Sequence, residues 1–275
     1  MHLPTADFKT KEAKLVNVIT GILPVQKIYL LGSRLQQQPV HSIFMYNACC
    51  NSNADHYYLL ILTDKNAGYN NNQVQDKIEN TCRSFISVTI IALNLQQFTT
   101  WLNEGHRFAK TVTQIATLIY DGNKTPIRLP VNTDLSAYVC DSKSLYHQQQ
   151  VVNEFIAGAE LYIERRQNNM ALFMLHQATE QALHLVLQKG AGLHINTHNI
   201  DKLIRYCSMV CCGVEQVFNL ENDKEKQLLQ LLQKAYVASR YKPGCPEPEE
   251  NLQLILQRVK LLQEVMQSFV EPKET

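Results

Sequence analysis

The chain has 275 residues, of which 45% are hydrophobic and 19% are charged, and its formal net charge is +1. This composition excludes a disordered chain, and the near-neutral charge removes the electrostatic case for binding nucleic acid over the whole surface. No apolar run is long enough to span a membrane, and the first residues lack the apolar segment of a secretory signal, so we expect a cytoplasmic protein. The length favours two domains.

Helical and strand patterns alternate over the first 125 residues. An amphipathic helix over 10–22 ends at Pro24, and an apolar strand over 27–31 runs into Gly32. The stretch 40–46 is predicted as a second strand or as irregular chain. The later predicted elements are a strand over 57–63, a helix over 73–85, a strand over 87–93, helices over 95–103 and 108–115, and a strand over 117–120. This order is that of an α/β layer domain.

A linker is predicted over 126–143, where Pro126, Pro130 and the polar run 132–134 interrupt the pattern. Strand patterns stop after it. Five helices are predicted over 144–166, 169–189, 199–212, 222–240 and 249–269. Short connections between them favour an antiparallel bundle. The sequence therefore predicts an α+β protein, with a mixed sheet and helices over 1–125 and an all-helical bundle over 144–270.

Two segments of the first domain resemble one enzyme family. Leu30-Leu-Gly-Ser-Arg34, followed by Asp55-His-Tyr-Tyr-Leu-Leu-Ile-Leu62, is similar to the polymerase-β type nucleotidyltransferases in their minimal form. That family pairs a Gly-Ser turn with an Asp-x-Asp strand and a third acidic residue on a later strand. The carboxylates hold two divalent metal ions, which bridge the nucleotide phosphates and activate the incoming hydroxyl. Where such a turn joins the end of a strand to the start of a helix, its backbone N–H groups can bind a phosphate.

The resemblance implies that Gly32, Ser33 and Arg34 bind a nucleotide and that Asp55 is a metal ligand, with Mg²⁺ as the only cofactor suggested. The second ligand position falls on Tyr57, however, and the predicted strand 87–93 has no carboxylate. Because one carboxylate cannot organise two metal ions, we interpret the domain as catalytically degenerate. An active metal-dependent nucleotidyltransferase, with Asp55 and a substitute such as Asp64, is the alternative.

The second domain resembles another family, in three segments that occur in the family's order. These are Ala171-Leu-Phe-Met-Leu-His-Gln-Ala-Thr-Glu180, Thr197-His-Asn-Ile-Asp-Lys-Leu203 and Ala235-Tyr-Val-Ala-Ser-Arg-Tyr241. Spread over about 150–270, they are similar to the HEPN family, which is associated with prokaryotic nucleotidyltransferases and also occurs at the end of sacsin. The fused order, nucleotidyltransferase-like and then HEPN, is itself typical of that family.

Polar residues interrupt the apolar pattern of the second predicted bundle helix. His176, Glu180 and His184 are spaced by four residues and share a helix face. Together with His198 they could hold a metal ion, but we favour a hydrogen-bonded network at the helix contacts, which the family resemblance explains without a metal. Gln177 and the three residues His176, Glu180 and His198 are then candidates for nucleotide binding.

Arg240 and Tyr241 form the second candidate site, at the end of a predicted helix. A guanidinium beside an aromatic ring can bind a phosphate and stack on a base, and Lys234 and Lys242 would add positive charge. The alternative is a surface arginine and a tyrosine that packs on the next helix. Ribonuclease members of the HEPN family carry a histidine four to six residues after the arginine, which this sequence lacks after Arg240, so a ribonuclease toxin is the weaker hypothesis.

The function predicted from the sequence is a regulatory protein that binds a nucleotide or polynucleotide, rather than an enzyme. We also expect a homodimer formed through the bundle and no membrane partner. The apolar residues of the last predicted helix extend beyond a single stripe, and HEPN relatives tend to dimerise. Those residues are Leu252, Leu254, Ile255, Val259, Leu262 and Met266.

Overall fold

The computed structural model describes residues 6–34, 40–45, 55–64, 71–122, 127, 142–218, 222–241 and 249–271. Side chains are described for these residues except 6–9, 71–72, 142 and 237–241. The chain divides into two compact units, residues 1–137 and 138–275, and each unit is described by itself. Most of the predicted linker 126–143 lies outside the described residues.

The first unit is a mixed sheet with helices, as predicted. Its elements are α1 (Ala6–Ile22), β1 (Val25–Arg34), β2 (His41–Ser42), β3 (His56–Thr63), α2 (Asn71–Cys82), β4 (Ser87–Asn94), α3 (Leu95–Asn103), α4 (Arg107–Ile115) and β5 (Thr117–Asp121). The strands run in the order β2-β1-β3-β4, and β5 pairs with β1. Only β3 and β4 are parallel, and the other described pairs are antiparallel. This arrangement confirms the predicted α+β class of this half.

The core of the first unit lies where α1 and α2 cover one face of the sheet. Strand β3 is buried along almost its whole length because neighbouring strands and helices cover both faces. The buried residues on the α1 and α2 face include Leu15, Ile19, Ile28, Tyr57, Leu59, Ile61, Ile78, Val88 and Ile90. At the outer edge of the sheet, Glu79 of α2 accepts a hydrogen bond from the backbone N–H of Ile90 at 3.1 Å. A helix side chain therefore covers a strand edge that would otherwise be open.

The predicted Gly32-Ser33 turn is wrong, because both residues lie inside β1. Gly32 pairs with Ser42 of β2 on one side and with Tyr58 of β3 on the other. A Cβ atom at Gly32 would lie 2.5 Å from the carbonyl oxygen of His41, so the glycine allows β2 to approach the bulged strand closely. Glycine therefore serves strand pairing here, and the chain continues as extended strand through Ser33 and Arg34.

The second unit is helical throughout its described part, which confirms the predicted bundle. Its helices are α5 (Ser142–Glu164), α6 (Asn168–Ala191), α7 (Ile200–Ser208), α8 (Gly213–Val217), α9 (Asp223–Tyr241) and α10 (Glu249–Val270). The single helix predicted over 199–212 is instead the shorter α7 followed by a turn and the short α8. Helix α6 is central, since it packs against α5, α7, α9 and α10. Its polar residues are consequently surrounded by neighbouring helices.

Two further features bear on the predictions. Within the described residues, no helix is long and apolar enough to cross a membrane. Cys82 and Cys207 are buried thiols, whereas Cys212 is part of a disulfide.

Candidate functional site

The predicted metal ligand Asp55 forms an ion pair with a lysine. Its Oδ2 atom lies 2.8 Å from Nζ of Lys11 in α1, and the two side chains are 29% and 32% exposed. Asp55 and Tyr57 are two residues apart on extended chain and face the same side of the sheet. That side is covered by α1, and Tyr57 is only 1% exposed. A protein cation and a buried phenol ring therefore stand where the family resemblance requires two metal-bound carboxylates.

The neighbouring strand supplies no further acid at this end of the sheet. Val88 of β4 lies opposite Tyr57. His56 bonds through its two ring nitrogens to hydroxyl groups, with distances of 3.0 Å to Ser87 Oγ and 2.8 Å to Thr89 Oγ1. The substitute Asp64 follows β3 at its other end, roughly 30 Å along an extended chain from Asp55. These residues do not fit a site for two Mg²⁺ ions.

In the second unit, Glu180 is the centre of a buried polar cluster on α6. Its side chain is 7% exposed. His176 and His184 lie one turn before and one turn after it, with nearest nitrogen to oxygen distances of 3.7 Å and 3.9 Å. His176 is fully buried, and its Nδ1 atom lies 3.3 Å from the side-chain amide of Gln177. The predicted polar face of this helix is therefore present.

The loop after α6 completes the cluster. Helix α6 ends at Ala191, and the next residue, Gly192, has a left-handed backbone conformation with a φ of 68°. This conformation ends the helix and turns the chain back along it. His198 then reaches Glu180, with its Nδ1 atom 3.0 Å from Oε1 and 3.1 Å from Oε2. Nearer the turn, His194 stacks on His184 with ring centroids 5.1 Å apart. The loop thus adds two imidazoles to the two that α6 provides.

Helix α9 holds this loop through Gln233 and Tyr236. The Gln233 amide accepts a hydrogen bond from the backbone N–H of Ile200 at 2.7 Å and donates one to the carbonyl of His198 at 3.1 Å. The ring of Tyr236 stacks on His198, with centroids 4.6 Å apart, and contacts His176 at 5.2 Å. The sequence interpretation missed both residues. The sequence could have indicated them, because Tyr236 lies one turn and Gln233 two turns before Arg240 in the same helix.

Burial keeps two of the imidazoles neutral. It lowers the pKa of His176 from 6.5 to about 4, and a backbone contact with His198 opposes this shift only in part. It also lowers the pKa of His184 to about 4, and the positive charge that His194 can carry acts in the same direction. At neutral pH the two rings that flank Glu180 on α6 are therefore neutral, and His198 is the ring that binds its side chain.

Hydrogen bonds in the cluster join His198 to Glu180 and Gln177 to His176. In the described part of the chain, no group of three His, Cys, Asp or Glu side chains has an arrangement that could hold a metal ion. Glu180 directs both carboxylate oxygens to His198, while His176 and His184 remain too distant to share a small ion with it.

The predicted cationic residues are divided between two places. Arg240 and Tyr241 end α9, one turn beyond Tyr236; their side chains, and all of Lys242, lie outside the described part. Lys234 lines a groove with Leu228 and Leu231 of α9 and Asn251 of α10. Helical periodicity places Lys234 on nearly the opposite side of α9 from Tyr236 and on the same side as Tyr241, seven residues further on.

Residues 153–269 match the family model of the HEPN domain. The chain carries a HEPN domain. The match covers nearly all of the second unit from α5 to α10, including the Glu180 cluster and the end of α9. This confirms the family expected for the helical half.

The chain is similar to the crystal structure of a nucleotidyltransferase-like protein from Exiguobacterium sibiricum 255-15, with 13% identity over 94% of this chain and 74% of that one. The TM-score is 0.27, which does not establish a shared fold. No curated protein matches the sequence significantly.

Proposed function

We propose that this protein binds a nucleotide or polynucleotide through its HEPN domain and has a regulatory role. The observation that carries the proposal is the position of His198. This exposed imidazole is bonded to buried Glu180 and stacked on Tyr236, one helical turn before Arg240. Stacked rings beside an arginine are suited to a ligand that has both flat bases and phosphates.

Each part of this surface would contribute a different interaction. Arg240 would bind phosphate oxygens through its guanidinium group, and Tyr241 would offer a ring for stacking. His198 is held in place from three sides, by Glu180, Tyr236 and Gln233, so little ordering is required when a ligand arrives. A prearranged polar surface of this kind favours binding over chemistry, because no group here is arranged as a nucleophile beside a general base.

The two enzyme alternatives find less support. Nucleotidyl transfer would need a second carboxylate near Asp55, where Lys11 and Tyr57 stand instead. Cleavage of RNA by the family's usual pair would need a histidine shortly after Arg240, and the sequence continues Tyr-Lys-Pro-Gly-Cys-Pro-Glu. We therefore propose that the first unit is not a metal-dependent transferase and that the HEPN domain is not a nuclease.

Calorimetric titration of ATP and GTP, with Mg²⁺ present, tests the binding proposal. Arg240→Ala should weaken binding on the order of tenfold to a hundredfold, because a charged hydrogen bond contributes roughly 1.5–3 kcal/mol. Lys226→Ala is the matched control: it removes an exposed cation from the same helix, fourteen residues before Arg240 and thus about 21 Å away along α9, and should leave the affinity unchanged. Equal loss in both variants, or a wild type that binds neither nucleotide, would contradict the proposal.

We also propose a homodimer formed through the HEPN domain. The apolar residues of α10 that suggested it are mostly buried within their own unit: Leu252, Ile255, Val259, Leu262 and Met266. What remains exposed on this side is Leu161 of α5, at 44%, and Leu261 of α10, at 37%. Glu160 and Lys260 form an ion pair that joins the two helices. Leu161 directly follows Glu160 in the sequence, and Leu261 directly follows Lys260. The outer face of α5 and α10 is therefore the surface that we assign to the second copy.

A further inference from the structure

A small pocket lies beside His198, on the side of the cluster formed by the loop and α6. Its volume is about 160 Å³, which is well below the roughly 300–1,000 Å³ of pockets that enclose a whole small-molecule ligand. Its walls combine four carboxamides with imidazole rings and the Glu180 carboxylate. The carboxamides are Gln148 of α5, Gln181 and Gln188 of α6, and Asn196 of the loop. The pocket therefore has room for one flat heterocycle with several polar edges.

The charge of the lining excludes a phosphate. Among the described residues that line the pocket there is no lysine or arginine, and the anionic group is Glu180. A phosphate would be repelled by this carboxylate, whereas N–H groups of a neutral ring would be attracted. Within the nucleotide ligand proposed above, the pocket is consequently suited to the base, and the phosphates are left to Arg240.

We propose that this pocket binds a guanine base, an inference that rests on the proposed nucleotide binding. Guanine presents two adjacent N–H donors on its Watson–Crick edge, which a carboxylate accepts well. Adenine presents a ring nitrogen with a lone pair beside its amino group, and that lone pair would face the negative charge of Glu180. The opposite edge of guanine has two acceptors, O6 and N7, for which carboxamide N–H groups are donors.

Two features prepare the pocket for a flat ring. His198 fixes the Glu180 carboxylate at 3.0 Å and 3.1 Å, yet each oxygen keeps a further lone pair for a ligand. His184 and His194 stack with an angle of 29° between their rings and form an aromatic wall. A base that stacks on such a wall gains affinity whatever its hydrogen-bonding edges are. Binding of guanine would thus use a carboxylate and an aromatic wall that are already in position.

Calorimetric titration of GTP and ATP into the wild type and Glu180→Gln tests the assignment. The wild type should bind GTP at least about tenfold more tightly than ATP, because ATP leaves the carboxylate facing a lone pair. The E180Q carboxamide still accepts a hydrogen bond from His198, but it offers a donor to adenine, so the preference should vanish or reverse. Gln230→Ala, in the separate groove between α9 and α10, is the control and should keep the wild-type preference.

A second variant covers the case in which E180Q does not fold, as a thermal melt would reveal. His194→Ala removes one ring of the wall at an exposed loop position and should weaken GTP binding severalfold. Equal affinities of the wild type for GTP and ATP, a preference that survives in E180Q, or an unchanged GTP affinity in His194→Ala would overturn the guanine assignment alone if Arg240→Ala still weakens binding. A wild type that binds neither nucleotide would overturn it together with the proposed function.

Discussion

His198 Nδ1 lies 3.0 Å and 3.1 Å from the two carboxylate oxygens of Glu180, so a loop residue directly binds the only acid buried on α6 among the described residues. This contact fixes the loop to the centre of the bundle, and Gln233 binds the same loop from α9 at His198 and Ile200. The surface that we assign to ligand binding is therefore held by both α6 and α9. Its stability and its binding should respond to the same substitutions.

The buried imidazoles should make the stability of the protein dependent on pH. Folded His176 and His184 have pKa values of about 4, whereas both groups titrate near 6.5 when unfolded. The unfolded chain therefore binds more protons between these values, and stability is lost as the pH falls from about 6.5 towards 4. Each group contributes up to about 1.4 kcal/mol per pH unit in this window.

Thermal melts at several pH values between 7 and 4.5 measure this dependence. His176→Gln should flatten the decline, because the variant has one fewer group that gains a proton on unfolding. His147→Gln removes an exposed histidine of α5 and should leave the wild-type slope. Identical slopes for the two variants would show that burial of His176 does not govern the pH response.

The first unit should not catalyse metal-dependent nucleotidyl transfer. Incubation with labelled ATP, Mg²⁺ or Mn²⁺ and protein or small-molecule acceptors should give no product, because Asp55 is engaged by Lys11 and Tyr57 replaces the second acid. Asp55→Ala should lower stability by less than about 1 kcal/mol, since the ion pair is partly exposed. Label transfer that disappears in Asp55→Ala would reveal a metal site that this reasoning misses.

Gly32→Ala should destabilise the first unit on the order of 1–3 kcal/mol. The new methyl group would lie 2.5 Å from the carbonyl oxygen of His41, so β1 and β2 would have to separate. Gly21→Ala makes the same chemical change in α1, where a Cβ atom meets nothing within 4 Å, and should stabilise by about 0.5–1 kcal/mol. Denaturant titration of both variants compares the effects, and a neutral Gly32→Ala would contradict the close approach of β2.

Light scattering should return about twice the sequence mass of 31.5 kDa. Leu161→Arg and Leu261→Arg place a charge on the outer face of α5 and α10 and should yield monomers without lowering the melting temperature of the monomeric unit. Gln230→Arg places the same charge on an exposed position of α9, outside the face of α5 and α10, and should remain dimeric. A wild type of 31.5 kDa at all concentrations would end the dimer proposal.

Local pattern predicted most of the elements but not how distant segments pair. The helix expected over 95–103 is α3 with the same bounds, because Asn94 caps its start and periodicity defines its apolar face. Gly32 and Ser33 were expected in a turn, since a glycine after an apolar run is usually one. Their extended conformation depends on pairing with β3 on one side and with β2 on the other, and β2 is a two-residue strand at His41–Ser42 that has almost no sequence pattern of its own.

The polar cluster was predictable where it follows helical spacing and not where packing creates it. His176 and Glu180 share a face at a spacing of four, and that relationship is visible in the sequence. Tyr236 and Gln233 enter the cluster only because α9 packs on α6, a contact between segments more than fifty residues apart. Helical periodicity, by contrast, separates Lys234 from Tyr236 within the sequence itself, because two residues correspond to nearly half a turn of α9.

The bond from Ile90 to Glu79 has a consequence for the solubility of the protein. An exposed strand edge is a template on which a strand of another molecule can add, and such additions lead to aggregates. At β4 an incoming strand would have to expel a carboxylate from a backbone N–H before it could pair, and it would meet a negative charge as it approached. Helix α2 thus hinders the addition of a strand from another molecule at β4. Glu79→Ala should therefore shorten the time before a concentrated solution of the protein becomes turbid through aggregation.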